Sequence, residues 1–414
     1  MELNLVSLLG LVLFIALAWA CSFHRKHFPW RTVFSGLALQ FIIALIILKT
    51  SPGRELFVIA QKAAHKLIDV SVEGAKMVFG PLANETLLAE KLGPGNAFIF
   101  VVVVSATIIV VSAISSLLYH WGVLQLVVRG AAWVMQRVMK TSGSESLAAA
   151  ANIFMGQTEA PLVVRPYLAG MTRSEIMALM TGGMATIAGG VFAAYVAFGI
   201  DAGHLLTASV MSAPASLMLA KVLLPETETS ETVAGASATV KRETSNSLDA
   251  ICHGAGEGVK LSLNVMAMLI AFVAIVALVN YLLSAPQTFF GVADPVTLQK
   301  LFGWVNAPFA WLLGVPAKDC VAVGQVLGER IVLNEFIGYF SLKDLKETLD
   351  PRSFTIATYA LCGFANFSSI AIQIGGIGSL APNRRADLAS LGVRAMLGGV
   401  LASYLTATIA GILL

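Results

Sequence analysis

The stretch Asn152-Ile153-Phe154-Met155-Gly156-Gln157-Thr158-Glu159-Ala160-Pro161 interrupts a long apolar region. Between Asn152 and Glu159 it carries two amides, a hydroxyl and a carboxylate, and a proline follows. An unpaired polar group facing lipid costs several kcal/mol, so this run must line a protected polar cavity. A second polar break, Phe364-Ala365-Asn366-Phe367-Ser368-Ser369, lies downstream between equally apolar flanks. Polar breaks at membrane depth in both halves of a chain point to a substrate site of the kind transporters build.

The composition agrees. Of 414 residues, 57% are hydrophobic and 12% charged, against roughly 25% charged in a soluble domain. This is a polytopic membrane chain. Its net charge of +3 is spread between apolar spans, and no basic stripe points to nucleic acid. Cys21, Cys252, Cys320 and Cys362 are scattered, which implies neither a zinc site nor a disulfide framework. The apolar run from Leu3 has Glu2 before it and His24-Arg25-Lys26-His27 after it. A cleaved signal has its positive charge first, so an uncleaved span with its N-terminus outside is expected.

Spans are expected over Leu3–Cys21, Val33–Leu48, Ala97–Tyr119, Ile176–Gly199, Leu205–Leu224, Leu261–Leu283, Ser353–Ile377 and Ala386–Leu414. Residues 55–79 mix charged and apolar positions and predict an amphipathic helix at the outer interface. Trp121–Lys140 predicts its counterpart at the inner face, and 295–313 another interfacial segment. Residues 147–170 predict a re-entrant hairpin of two half-helices with a polar tip, permitted only when buried in protein. Val315–Phe340 repeats that pattern with Gly324, Gly328, Asn334 and Glu335. The pairs Gly182-Gly183 and Gly189-Gly190 flank Thr186 and are expected to let that helix unwind. Pro225–Asp249 reads as a flexible cytoplasmic linker.

With this assignment every basic loop falls on one side. The halves also match in order: hairpin with a glutamate, broken helix, plain helix. The first hairpin enters from inside and the second from outside, as in an inverted repeat. The expected fold is an all-α polytopic membrane protein with eight transmembrane helices and two re-entrant hairpins. Its segments are 1–140, largely scaffold; 141–224, the first repeat; 225–314, linker, scaffold span and outer interfacial helix; and 315–414, the second repeat. Gly254-Ala255-Gly256-Glu257-Gly258-Val259-Lys260 lacks the spacing of a phosphate loop and reads as a flexible entry to the next span. The six histidines show no metalloenzyme spacing. An ion channel would ring a symmetry axis with like polar groups, and an intramembrane hydrolase needs a nucleophile with a base. Neither pattern is visible.

Three motifs carry a family resemblance. Gly156-Gln157-Thr158-Glu159-Ala160-Pro161-Leu162-Val163-Val164-Arg165-Pro166, Asn334-Glu335-Phe336 and Cys362-Gly363-Phe364-Ala365-Asn366 closely resemble the concentrative nucleoside transporters. So do Ile187-Ala188-Gly189-Gly190-Val191 and Gly378-Ser379-Leu380-Ala381-Pro382. The resemblance implies a homotrimer, with a scaffold and a mobile transport domain moving as an elevator. It also implies ion-driven uptake of nucleosides such as uridine, cytidine and adenosine at a bacterial inner membrane, with both termini periplasmic and no enzymatic activity. Carried over by position, Gln157, Thr158 and Glu159 would face the nucleobase and Val191 would pack against it. Glu335, Asn366 and Ser369 would hold the ribose, and Phe364 would add apolar contact. The resemblance places a sodium ion on Asn152 and Thr186, with main-chain oxygens of Met155 and Ile187. Proton coupling is the alternative within this class. No other cofactor is implied.

Overall fold

The computed structural model describes residues 3–93, 99–233, 235 and 244–414, and every regular element among them is helical. The first third holds α1 (Leu3–Ala20), α2 (Trp30–Lys49), α3 (Ser51–Phe79), α4 (Glu85–Leu92), α5 (Phe100–His120) and α6 (Val123–Met139). Next come α7 (Gly143–Asn152), α8 (Ala160–Val163), α9 (Arg173–Ala185), α10 (Gly189–Ala197) and α11 (Ala202–Leu223). A very long α12 (Ser247–Phe289) leads to α13 (Leu298–Leu312), α14 (Cys320–Val332) and α15 (Glu335–Asp344). The chain closes with α16 (Pro351–Leu361), α17 (Phe367–Leu380) and α18 (Arg385–Leu413).

Seven helical segments among the described residues are long and apolar enough to cross a membrane: α1, α2, α5, α9 with α10, α11, α12 and α18. The expected span over Ser353–Ile377 is divided into α16 and α17 by an irregular turn at Cys362–Asn366. Helices α9, α11 and α18 pack on one another and are buried almost all round. A helix that is apolar on every face belongs in such an interior. The expected start of the third span, Ala97, lies outside the described residues.

Several expectations need correction. The second arm of the first hairpin is not a half-helix. After the single turn of α8 the chain continues in turns, and from Gly156 to Gly170 its backbone bonds mostly run three residues back, as in Leu162→Glu159, Val164→Pro161 and Tyr167→Val164. Pro161 and Pro166 each remove a donor that an α-helix would use. Gly182 and Gly183 do not unwind their helix. They lie inside α9, where a Cβ would stand 3.0 Å from Asn152 Nδ2 and 2.7 Å from Gln373 Nε2. The break itself falls where expected, between the two glycine pairs, at Thr186–Ala188.

The stretch Gly254–Lys260 is not a flexible entry either. It is helical within α12, and Gly254 and Gly258 press on the backbone of α5: a Cβ on Gly254 would meet Ser112 O at 2.5 Å, and one on Gly258 Ile109 Cα at 2.7 Å. Small residues four apart let two membrane helices touch backbone to backbone.

The start of the linker is also structured. Ser230 and Thr232 are buried, and their hydroxyls donate to Glu175 Oε1 at 2.6 and 3.3 Å. Ser142 and Ser144 donate to the same oxygen. Ser142 with Glu145 and Thr172 with Glu175 form capping boxes that open α7 and α9. Lys221 completes the cluster by pairing with Glu145 at 2.6 Å and Glu226 at 3.3 Å. Residues 236–243 of the linker lie outside the described residues.

The two helix breaks touch. Gly363 has a φ of 145°, a conformation that essentially only glycine adopts. A Cβ there would lie 2.8 Å from Met184 O and 2.9 Å from Ala185 O, at the end of α9. One residue on, Phe364 N–H donates to Thr186 O at 3.3 Å. Gly363→Ala should therefore lower the melting temperature of the detergent-solubilised protein. Gly375→Ala, whose Cβ would meet nothing within 4 Å, should leave it unchanged or slightly raised. Equal melting of the two variants would contradict a tight crossing.

Candidate functional site

Around this crossing the structure gathers most of the residues singled out from the sequence. Asn366 opens α17 as its N-cap, with its side-chain oxygen accepting from Ser369 N at 2.9 Å. Its amide nitrogen remains free to donate to Glu335 Oε2 at 3.0 Å. Glu335 is the first residue of α15, placed by Asn334, whose side chain caps that helix. The other carboxylate oxygen, Oε1, accepts from Tyr195 Oη at 3.1 Å. From the first half, Gln157 Nε2 donates to Ser369 Oγ at 3.0 Å, and Gln157 Oε1 accepts from Gln373 Nε2 at 3.1 Å. Gln373 also donates to Met180 O, which ties α17 to α9. One continuous hydrogen-bonded chain thus runs from Gln373 through Gln157, Ser369 and Asn366 to Glu335 and Tyr195.

All six of these side chains are buried. They offer amide, hydroxyl and carboxylate groups in one place, so they can act as donors or acceptors toward a polar, uncharged ligand. Phe364 is half-buried beside them, and Val191 is buried on the first turn of α10. Thr158 and Glu159 are exposed at the rim, and Glu159 Oε2 accepts from Gly156 N at 3.3 Å.

Asn152, Met155, Thr186 and Ile187 are all buried. Thr186 Oγ donates to Gly182 O at 3.1 Å. Asn152 is unusual. Both polar atoms of its side chain are buried, and neither has a hydrogen-bond partner among the described residues. Leaving such groups unsatisfied costs about 1–3 kcal/mol, so the amide oxygen calls for a partner from outside the chain. Together with a hydroxyl and main-chain oxygens, this is a donor set that fits a hard monovalent cation.

Three contributors lie outside the sequence motifs: Tyr195, Gln373 and Arg330, whose Nε donates to Gly363 O at the second break. Gln373 lies four residues after Ser369 and seven after Asn366, so helical spacing could have placed it on the same face. Tyr195 follows Val191 by four, which carries the same signal. Arg330 stood in a semi-apolar run four residues before Asn334. A separate cavity of about 520 Å³, lined among others by His65, Asp201, His204 and Lys346, includes none of the residues expected to form the site.

Polar groups buried at interrupted helices, within a bundle apolar enough to cross a membrane, define a multi-pass membrane transporter. Three family models divide the chain between them. The Na+ dependent nucleoside transporter N-terminus matches residues 9–82, the nucleoside recognition Gate 101–202, and the Na+ dependent nucleoside transporter C-terminus 204–411. The chain is 42% identical to an uncharacterized transporter, YutK, of Bacillus subtilis over 98% of both chains. It is 39% identical to sodium/nucleoside cotransporter 2 of Rattus norvegicus, covering 99% of this chain and 63% of the rat protein. The solved structure of CNTnw in an inward-facing substrate-bound state superposes with a TM-score of 0.94 at 38% identity, covering 99% and 98% of the two chains. The chain belongs to the concentrative nucleoside transporter family, a family of transporters and not of enzymes.

The unpartnered amide makes a prediction that needs no ligand. Asn152→Leu, with the same count and branching of side-chain heavy atoms but none of them polar, should melt at a higher temperature than wild type in sodium-free buffer. A lower melting temperature would mean that the amide has a partner within the protein.

Proposed function

We propose that this protein is a sodium-coupled symporter that takes up nucleosides across a bacterial inner membrane. The observation that carries the reading is the single hydrogen-bonded chain joining the polar break of each half, with the unpartnered Asn152 five residues before Gln157 on the first. In this reading Gln157, Thr158 and Glu159 recognise the edge of the nucleobase, and Val191 supplies an apolar wall. Glu335, Asn366 and Ser369 hold the ribose hydroxyls, and Phe364 contacts the sugar and base. The division has a chemical reason. A ribose diol is a pair of donors suited to a carboxylate and an amide, whereas a flat base needs an edge partner and an apolar face. Gln157 and Ser369 bond each other directly here, so a bound nucleoside takes over both partners. The cation is held by side-chain oxygens of Asn152 and Thr186 and main-chain oxygens of Met155 and Ile187.

The coupling is energetically sufficient. One co-transported charge gains ~2.3 kcal/mol per 100 mV, which supports about a 50-fold nucleoside gradient at tenfold per ~1.4 kcal/mol. We assign residues 141–224 and 315–414 to an elevator-type transport domain, with the two hairpins re-entrant and α16–α17 as the eighth span. Segments 1–140 and 225–314 form the scaffold. Helix α12 exposes Leu263, Ile270, Val273, Ile275 and Leu278, a surface suited to lipid or to the other copies of a homotrimer. Both termini lie on the periplasmic side.

Radiolabelled uridine uptake into proteoliposomes tests this directly. A sodium gradient should drive accumulation, and Glu335→Gln should reduce it at least about tenfold through loss of a charged hydrogen-bond acceptor. Uptake driven by a proton gradient alone would keep the substrate and remove the sodium site. If no nucleoside enters under either gradient, the proposal fails.

A further inference from the structure

Arg330 is fully buried in α14, and its partners are those a metal cation would take. Nη1 donates to Ala360 O at 2.9 Å and to Ser403 Oγ at 2.8 Å, and Nε donates to Gly363 O at 3.3 Å. Nη2 is buried without a hydrogen-bond partner, and Arg330 forms no ion pair among the described residues. A buried charge normally demands a counter-charge. Here the buried Glu335 carboxylate acts on Arg330 at longer range, and its direct partners are Ala360 O near the negative end of α16 and Gly363 O in the turn beyond.

The location has a counterpart in the first half. There α7, α9 ahead of its break and α11 bring together Asn152, Gly182 and Ser216: a Cβ on Gly182 would lie 3.0 Å from Asn152 Nδ2 and 3.8 Å from Ser216 Oγ. In the second half α14, the break after α16 and α18 contribute Arg330, the carbonyls of Ala360 and Gly363, and Ser403. Hairpin arm, broken helix and third helix recur in the same order. One half presents an unpartnered amide, and the other presents a guanidinium already in place.

We infer that Arg330 is a tethered cation, filling in the second half the position that the first half leaves to a mobile ion. This rests on the cation site proposed at Asn152. Through Gly363 and the turn that follows, Arg330 is a positioning residue for Phe364 and Asn366, holding the second break in its binding geometry without having to be recruited from solution.

Uridine binding by calorimetry, at several sodium concentrations and with melting curves for every variant, tests the inference. Arg330→Lys, which keeps the charge, should bind uridine within about threefold of wild type. Arg330→Gln should lose about tenfold or more at fixed sodium, and its sodium dependence should steepen as a second cation replaces the lost charge. A packing role would not change the sodium dependence. Arg330→Gln binding like wild type, or Arg330→Lys losing as much as Arg330→Gln, would overturn the inference. Should Arg330→Gln show no melting transition, Ser403→Ala decides: a loss of about threefold or more supports the role, and unchanged affinity refutes it. Wild-type protein that binds no uridine would instead defeat the proposed function, whatever the variants do.

Discussion

The structure depends on two interrupted helices leaning on each other where neither can complete its own hydrogen bonding. At a break, backbone groups lose their helical partners, and lipid supplies none. The bond from Phe364 N–H to Thr186 O lets one break satisfy part of the other. Contact that close requires Gly363, because any side chain would strike the end of α9. The constraint fixes how far α17 can stand from α9, and hence brings Gln157 within reach of Ser369. The polar groups of the site are held by a backbone contact made several residues away from them.

The same logic governs the buried charges beyond the site. Glu175 is surrounded by hydroxyls from α7 and from the chain that follows α11, and Lys221 lies between two glutamates. Each charge is compensated locally, as burial demands. Because Ser230 and Thr232 supply part of that compensation, the start of the connection to α12 is bound to the N-terminal ends of α7 and α9. Sequence composition made this segment look unstructured, since its hydroxyls and carboxylates would suit water equally well.

Much of the fold was legible because bilayers restrict the options to long apolar helices, and polar residues within them stand out. Asn152, Gln157, Glu335 and Asn366 were found that way, as were both breaks. The missed features share a cause. Tyr195 and Gln373 look ordinary one at a time and become informative only when helical spacing is carried past the motif. Arg330 sat in a run where the glycines drew attention. The glycine pair in α9 was read as a place to bend, whereas its actual use is to admit Asn152, Gln157 and Gln373 against the helix. Glycine reports missing volume, and sequence alone cannot say whether the space is used for bending or for a neighbour.

The glycine-mediated contact between α12 and α5 has a mechanical consequence. Two helices touching through their backbones leave no compressible side-chain layer between them, so sliding or rolling one against the other would require the contact to separate. Trp121 Nε1 to Ser247 Oγ adds a clamp at one end of the pair. Helix α12 has 43 residues, about 65 Å of rod at 1.5 Å per residue, roughly twice a bilayer's apolar thickness. Toward α10, α5 presents Ser115 to Gly189 and Ser112 to Gly190, and Leu261 of α12 reaches Gly190 as well. The pair has the properties of a rail: stiff along its length and locked to itself, with the broken helix α10 packed directly against it.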